Sequence, residues 1–488
     1  MPGLAAGWTG LRVIVALILI AGSLAVLEGA RRGVAVTHVA VGETPVTGYA
    51  MPDTDGPAVV IAHGFAGSRQ MMQGYALPLA RAGYRVFSFD FLGHGRHPLP
   101  MSGDVTSVEG TTRLLMAQTE AVIDAVSDGQ WPVALLGHSM ATDVLARVAA
   151  ERDDIGPVVL VSAFSRAITA DSPRDLLMIT GAWEPGLRDA ALTAARLVSP
   201  EAQEGQTVTA GPVIRRAEVA PFSDHVSILQ NRDARVAAVR WIDRAYGRSS
   251  DPAIWPTGWA ILGLLGGLVL IFGAVARLLP APGRVEQGLT WRQVAIASVL
   301  PAGLAPLVAV PLDPQLLPVL VADYLALHLA VFGLLQLGLI RRWRVPVGRI
   351  SVAALLLVLG WCCLFGIALD RYVANFWPTP GRFWIVAAMA LGAVPFMVAD
   401  QVLTLRARFG QRLVLRAGFL LSLGVAVALD FRGLFFLLMI APVVLVFYLI
   451  FGTVGRASAV RAGPLASGLA LGLVLAWALG VSFPLFAP

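Results

Sequence analysis

No lysine occurs anywhere in this 488-residue chain, so each of its 37 basic residues is an arginine. No single function would forbid lysine throughout, and the bias reflects genome composition. Cysteine is nearly absent as well: the only two, Cys362 and Cys363, are adjacent within an apolar run. Neighbouring cysteines are poor disulfide partners, which excludes a disulfide-stapled framework. Charged residues make up only 14% of the chain against 57% hydrophobic ones, which excludes an ordinary soluble protein. There is no nucleotide-binding glycine loop, no cluster with metal-ligand spacing and no internal repeat, so neither a cofactor nor a metal is expected.

The charge is unevenly divided. Residues 33–250 contain 18 Arg against 23 Asp and Glu, whereas the remainder contains 19 Arg against 8 acids. The net charge of +6 therefore belongs to loops between apolar segments and does not mark a nucleic-acid partner. Three parts are expected: a membrane anchor over 1–32, a water-soluble domain over 33–250, and a transmembrane domain of about eight helices over 251–488. In the anchor, residues 13–27 form an apolar core that snorkelling of Arg12 can lengthen, and no A-x-A cleavage site follows.

Within the soluble part, apolar runs at 58–62, 85–89, 133–138, 157–162 and 175–180 read as buried strands. A strand pair at 34–41 and 46–50 precedes them, and a further strand lies near 213–220. Helical patterns fall between the strands: from Ser68, a suitable N-cap, to about 82, then about 107–126, 142–150, 187–197 and 224–246. Strands alternating with helices predict a mostly parallel sheet with helices on both faces. The run through 133–138 meets Gly137-His138-Ser139 and passes at once into a helix, which places a serine on a tight strand-to-helix turn. Ala141 stands where the usual G-x-S-x-G spacing has its last glycine, and it is small enough to let helix and strand approach.

The serine elbow, the His63-Gly64-Phe65 turn, the Gly93-His94-Gly95 turn and a late His225 occur in an order that resembles the α/β-hydrolase superfamily, serine hydrolase type. The resemblance covers about residues 35–248. It implies a nucleophile at Ser139, a base at His225 and an orienting acid at Glu184, which follows the strand ending at 180. Asp171, Asp189 and Asp224 remain open as substitutes for that acid. The resemblance further implies an oxyanion hole from the N–H groups of Phe65 and Met140, with His63, Gly64, His138 and Trp183 against the substrate. Asp90 and His94 resemble a supporting turn. Met71, Met72, Phe91, Met101, Phe164 and Trp183 are candidate apolar lining, and the short link between 162 and 175 leaves no room for a cap domain there.

After residue 256, eight apolar runs of membrane length alternate with junctions of two kinds. Arginines cluster at Arg277/Arg284/Arg292, Arg341/Arg342/Arg344/Arg349, Arg406/Arg408/Arg412/Arg416 and Arg456/Arg461, while the intervening junctions are nearly free of them. The positive-inside rule makes the arginine-rich loops cytoplasmic, and the soluble domain, one span from the first of them, faces outward from what is expected to be a bacterial plasma membrane. Residues 376–384 read as an outward-facing aromatic belt, and Asp323, Tyr324 and His328 share one span. The function expected is a membrane-anchored serine hydrolase acting on an ester, with a small-molecule or lipid acyl substrate. The alternatives are an acyltransferase using the same triad, or a transporter-like protein whose hydrolase-like domain is not catalytic.

Overall fold

The computed structural model describes residues 2–104, 108–280 and 288–487, which form two compact units. The first comprises residues 21–264 together with 369–377 and 484–487. It is built on nine strands: β1 (Ala35–Val41), β2 (Thr44–Ala50), β3 (Ala58–Ala62), β4 (Arg85–Phe89), β5 (Val133–His138), β6 (Ile155–Val161), β7 (Asp175–Gly181), β8 (Thr207–Ala210) and β9 (Val213–Ala220). Their order in the sheet is β1-β2-β4-β3-β5-β6-β7-β9-β8. The strands from β4 through β9 in that order are parallel, and β1, β2 and β8 extend the edges antiparallel.

The unbroken apolar runs follow from helices on both faces. Val60, Leu135, Val158 and Leu176 point to one face, where they meet α3 (Arg113–Val126), α4 (Met140–Glu151) and α5 (Pro185–Arg196). Val59, Ile61, Leu136 and Val159 point to the other, against α2 (Gln73–Arg81) and α6 (Arg232–Ala245). Alternation with period two thus sends successive residues of one strand into two separate cores. Each fully buried Val, Leu or Ile contributes about 1.5–3 kcal/mol, so the central strands fix the sheet.

Several element boundaries differ from the sequence reading. The expected helix start at 107 lies outside the described residues, and regular α3 begins only at Arg113, after a π-helical turn over Val108–Thr112. Ser68 does not cap a helix: its hydroxyl accepts the Asn375 N–H at 2.9 Å, and a 3₁₀ turn over Arg69–Met72 comes before α2. The helix expected from 224 begins eight residues later, because Asn231 is the N-cap and accepts from the Ala234 N–H at 3.0 Å.

The second unit, residues 2–20, 265–368 and 378–483, is all helical. Among the described residues nine helices are long and apolar enough to cross a membrane. They are α1 (Pro2–Arg31), α7 (Thr257–Val275), α8 (Trp291–Leu312), α9 (Ala322–Arg342), α10 (Val352–Tyr372), α11 (Arg382–Leu405), α12 (Phe409–Leu429), α14 (Leu437–Ala462) and α15 (Pro464–Ser482), with a short α13 (Phe431–Leu434) between two of them. Several polar groups inside this unit are paired, as an apolar surround favours. The Tyr324 hydroxyl lies 2.7 Å from His328 Nδ1, and His328 Nε2 lies 2.9 Å from Ser422 Oγ. Asp323 accepts the Leu317 N–H at 2.8 Å, and Asp400 is bonded to Arg416. This pairing ties Asp323, Tyr324 and His328 into the packing of the helices. Of the aromatic segment at 376–384, Phe376 and Trp377 belong to the first unit and the rest to the helical one.

Candidate active site

Ser139 follows the last residue of β5 and precedes the first residue of α4, with φ +54 and ψ −119. A side chain in that region costs on the order of 1–3 kcal/mol, so the surrounding contacts must impose it. They do so from both sides: the Ser139 N–H donates to Val161 O at 3.0 Å, and its carbonyl accepts the Thr142 N–H at 2.9 Å. Close packing inside the elbow explains why Ala141 serves there. A Cβ placed on Gly137 would come within 3.2 Å of the Ala141 methyl, so both positions must be small.

The three residues expected as a triad are brought together. The Ser139 hydroxyl donates to His225 Nε2 at 2.8 Å, and His225 Nδ1–H donates to Glu184 Oε1 at 2.6 Å. Ser139 is partly exposed and the His225 side chain is 46% exposed, so solutes reach both. Glu184 is buried, and its second oxygen accepts the Gly181 N–H at 2.7 Å and the Ser162 hydroxyl at 2.8 Å. Burial alone would raise its pKa, but the bonds from His225, Gly181 and Ser162 outweigh burial and hold it below the ordinary value. An ionised carboxylate at neutral pH results. Asp224, one of the substitutes, instead accepts from the Val226 and Ser227 N–H groups at 3.0 and 2.8 Å, which shapes the loop holding His225. The acid-bearing turn is tied to the same loop: Trp183 N–H donates to Ser223 O at 3.0 Å.

The turn after β3 lies directly against the serine. A Cβ on Gly64 would stand 2.9 Å from Ser139 Cβ and 3.0 Å from His138 Nδ1, so only glycine lets this backbone approach. Phe65 follows on that turn, and Met140, first in α4, presents an N–H the helix itself cannot use. Two residues expected against the substrate are held by the backbone. His63 is buried with both ring nitrogens engaged, Nδ1–H donating to Gly64 O at 2.7 Å and Nε2 accepting the Phe91 N–H at 3.1 Å. His138 is also buried, and its Nε2–H donates to the His225 carbonyl at 2.8 Å. Both rings are tied to the backbone of the site, His63 through both nitrogens and His138 through Nε2. Met72, Phe91 and Met101, expected in the lining, are core residues, whereas Phe164 and Trp183 are exposed.

His138 makes the fold sensitive to acid. Burial first, and then the neighbouring His225, lower its pKa from 6.5 to about 4. The folded state therefore binds fewer protons than the unfolded chain between those two values. Its contribution is complete above about pH 6.5 and is lost as pH falls towards 4, on the order of 3 kcal/mol. Unfolding measured from pH 7 to 4.5 should show this decline reduced in His138→Gln, which keeps the N–H donor. An identical decline in wild type and variant would remove His138 as its source.

Three features were not found in the sequence, and a fourth, Asp90, was read there only as part of a supporting turn. Ser162, left-handed at the end of β6 with φ +52, supplies the hydroxyl that holds Glu184. Asp90, fully buried, pairs with Arg69 and also accepts the N–H groups of Arg69 at 2.7 Å and Arg96 at 2.9 Å. Residues 369–377 and 484–487 complete the unit from far along the chain. Arg96 donates to Asp370 at 2.6 Å and Asn375 at 3.0 Å. Leu485 pairs with the turn beside the site, its N–H donating to Gly93 O at 2.9 Å and its carbonyl accepting the Met101 N–H at 3.0 Å. The Phe486 ring lies 6.5 Å from that of Phe65.

Beside the acid and base is an apolar cavity of about 760 Å³, lined by Met71, Trp183, Phe222, Val226, Trp259 and Leu262 among others. Phe222 and Trp259 are 84% and 79% exposed, large apolar surfaces left open to a ligand.

Residues 55–219 match the family model described as serine aminopeptidase, S33. Among solved structures, a predicted CIB-like hydrolase from Thermoplasma acidophilum is 14% identical with a TM-score of 0.34, covering 43% of this chain and 98% of its own. A membrane phospholipase A, a bacterial virulence factor, is 14% identical with a TM-score of 0.33 and covers 50% and 99%. The thioesterase domain from the curacin biosynthetic pathway is 16% identical with a TM-score of 0.31 and covers 43% and 98%. No curated protein matches the chain.

Proposed function

We propose that this α/β-hydrolase domain, joined to a helical membrane region, is a serine hydrolase that cleaves acyl esters through an acyl-enzyme on Ser139. The observation that carries the reading is the continuous hydrogen-bonded chain from Ser139 through His225 to Glu184. A free serine hydroxyl is a weak nucleophile, and an imidazole at 2.8 Å can take its proton as the oxygen bonds to the acyl carbon. The ionised Glu184 holds the imidazole with Nδ1 protonated and stabilises the imidazolium that forms. The N–H groups of Phe65 and Met140 are assigned to the developing oxyanion. His225 then returns the proton to the leaving alcohol oxygen. In the second half it takes a proton from water, whose oxygen attacks the acyl carbon and frees Ser139.

The exposed aromatic cavity supports a substrate with an apolar acyl chain, such as a membrane-derived lipid, and the arginine distribution supports an outward-facing domain. Full-length protein in detergent should be labelled by a fluorophosphonate to about one equivalent, since the probe reports an activated serine. It should also prefer p-nitrophenyl esters of longer acyl chains. Trp183→Ala combined with Phe222→Ala should raise KM for a long-chain ester about tenfold and leave the acetate ester unchanged. Folded wild-type protein that stays unlabelled would sink the triad reading. Equal KM values at every chain length would leave the triad intact and sink the apolar substrate.

A further inference from the structure

The helical unit contains a second cavity, of about 620 Å³, between the end of α7, the start of α12 and the later half of α14. Its wall includes five arginines, Arg277, Arg412, Arg416, Arg456 and Arg461, and no acidic residue. Among the described residues only Arg416 is neutralised, donating to the two oxygens of Asp400 at 3.1 and 3.0 Å. The other four form no ion pair among the described residues; Arg412 lies 5.6 Å from the centre of the Phe409 ring, and the remaining three find weaker partners. Arg277 donates to the Thr9 hydroxyl at 2.6 Å, Arg456 to the Thr404 carbonyl at 3.1 Å, and Arg461 to the carbonyls of Arg277 and Leu279 at 2.9 and 3.2 Å. The Nε atoms of Arg412 and Arg461 are shut off from solvent with no hydrogen-bond partner among the described residues.

Such an arrangement is costly when empty. Like charges gathered around one concavity repel, and a buried donor without an acceptor is destabilising. An anion offering several oxygens relieves both, and guanidinium groups match phosphate in a planar, bidentate manner. The rest of the wall is apolar: Phe409, Leu413, Leu449 and Val460 lie on the same two span-length helices and are largely exposed. A free phosphate has no use for that surface, whereas acyl or isoprenoid chains do. We propose that this cavity binds the phosphate headgroup of an anionic membrane lipid, with the lipid chains along α12 and α14. By the positive-inside rule these arginine-rich helix ends lie in the cytoplasmic leaflet, where basic pockets between helices meet anionic headgroups.

Native mass spectrometry of the full chain tests this with equimolar dioleoylphosphatidylglycerol and dioleoylphosphatidylcholine in the detergent. Wild type should retain the phosphatidylglycerol over the phosphatidylcholine by about tenfold. Arg412→Gln and Arg456→Gln should each lower that ratio, and the pair should bring it near one. Arg412→Lys, which keeps the charge, should retain most of it. Undiminished fluorophosphonate labelling and melting temperature in the single variants separate loss of the site from loss of the fold. Equal retention of the two lipids by wild type, or an unchanged ratio in both single glutamine variants, would overturn the proposal. Displacement of the lipid by millimolar sn-glycerol 3-phosphate would overturn it too, by assigning the site to a free phosphate compound.

Discussion

Ser139→Ala and His225→Ala are each expected to abolish fluorophosphonate labelling and to lower ester turnover by about 10⁴-fold or more. That factor corresponds to roughly 5.5 kcal/mol of lost transition-state stabilisation. The two losses should not add. Without the base the hydroxyl keeps its proton, and without the hydroxyl the base has nothing to activate. The double variant should therefore be about as impaired as either single one. Whatever remains above the uncatalysed rate then measures the oxyanion donors and binding alone. Glu184→Gln should be less damaging, because the amide can still accept from Nδ1–H while losing the charge that favours imidazolium. With that oxygen on Nδ1–H, the NH₂ faces Ser162 and the Gly181 N–H, which lose their acceptor. Labelling of His225→Ala at the wild-type rate would refute the assignment of the base, whatever happened to Ser139→Ala.

The largest effect on stability is expected from Asp90→Ala. The carboxylate is wholly buried, and it answers both the guanidinium of Arg69 and the N–H groups of Arg69 and Arg96. Its removal leaves a buried cation and two buried donors unpaired, a change that costs about 3–5 kcal/mol. A domain is stable by only about 5–15 kcal/mol, so the melting temperature should fall by about 10 °C or more. Arg69→Met on the same background removes the orphaned cation and should restore part of the loss. The rest should remain, because the two N–H groups still lack their acceptor. A melting temperature within a degree of wild type for Asp90→Ala would mean that water reaches Arg69 and takes the carboxylate's place.

The elbow and the base were legible because their signals are local. Gly137-His138-Ser139 after an apolar run needs only neighbouring residues to be read, and the parallel sheet follows from runs buried on both faces. Glu184 was legible through its place after a strand end. Ser162 was not, since its role depends on a left-handed backbone turn that brings a strand-end hydroxyl across to β7. The backbone ties of His63 and His138 were not legible, because a sequence shows an imidazole without showing which nitrogens the backbone already occupies. β8 escaped because four residues with a single buried side chain, Val208, carry no apolar period. Ser68 looked like a cap because the residue that uses its hydroxyl, Asn375, lies 307 positions away.

That last distance has a bearing on how the protein is made. The turn carrying Gly93 is finished by Leu485, and the loop containing Arg96 is held by Asp370 and Asn375. A ribosome working from the N-terminus delivers Ser139, His225 and Glu184 long before these partners exist. The nascent domain stays incomplete until the helices from α7 onward have been made, because its turn at Gly93 and its loop at Arg96 are fastened only by residues 370, 375 and 485. For the same reason, a soluble fragment cut at residue 250 would lack both finishing segments and should not be expected to behave as the native domain.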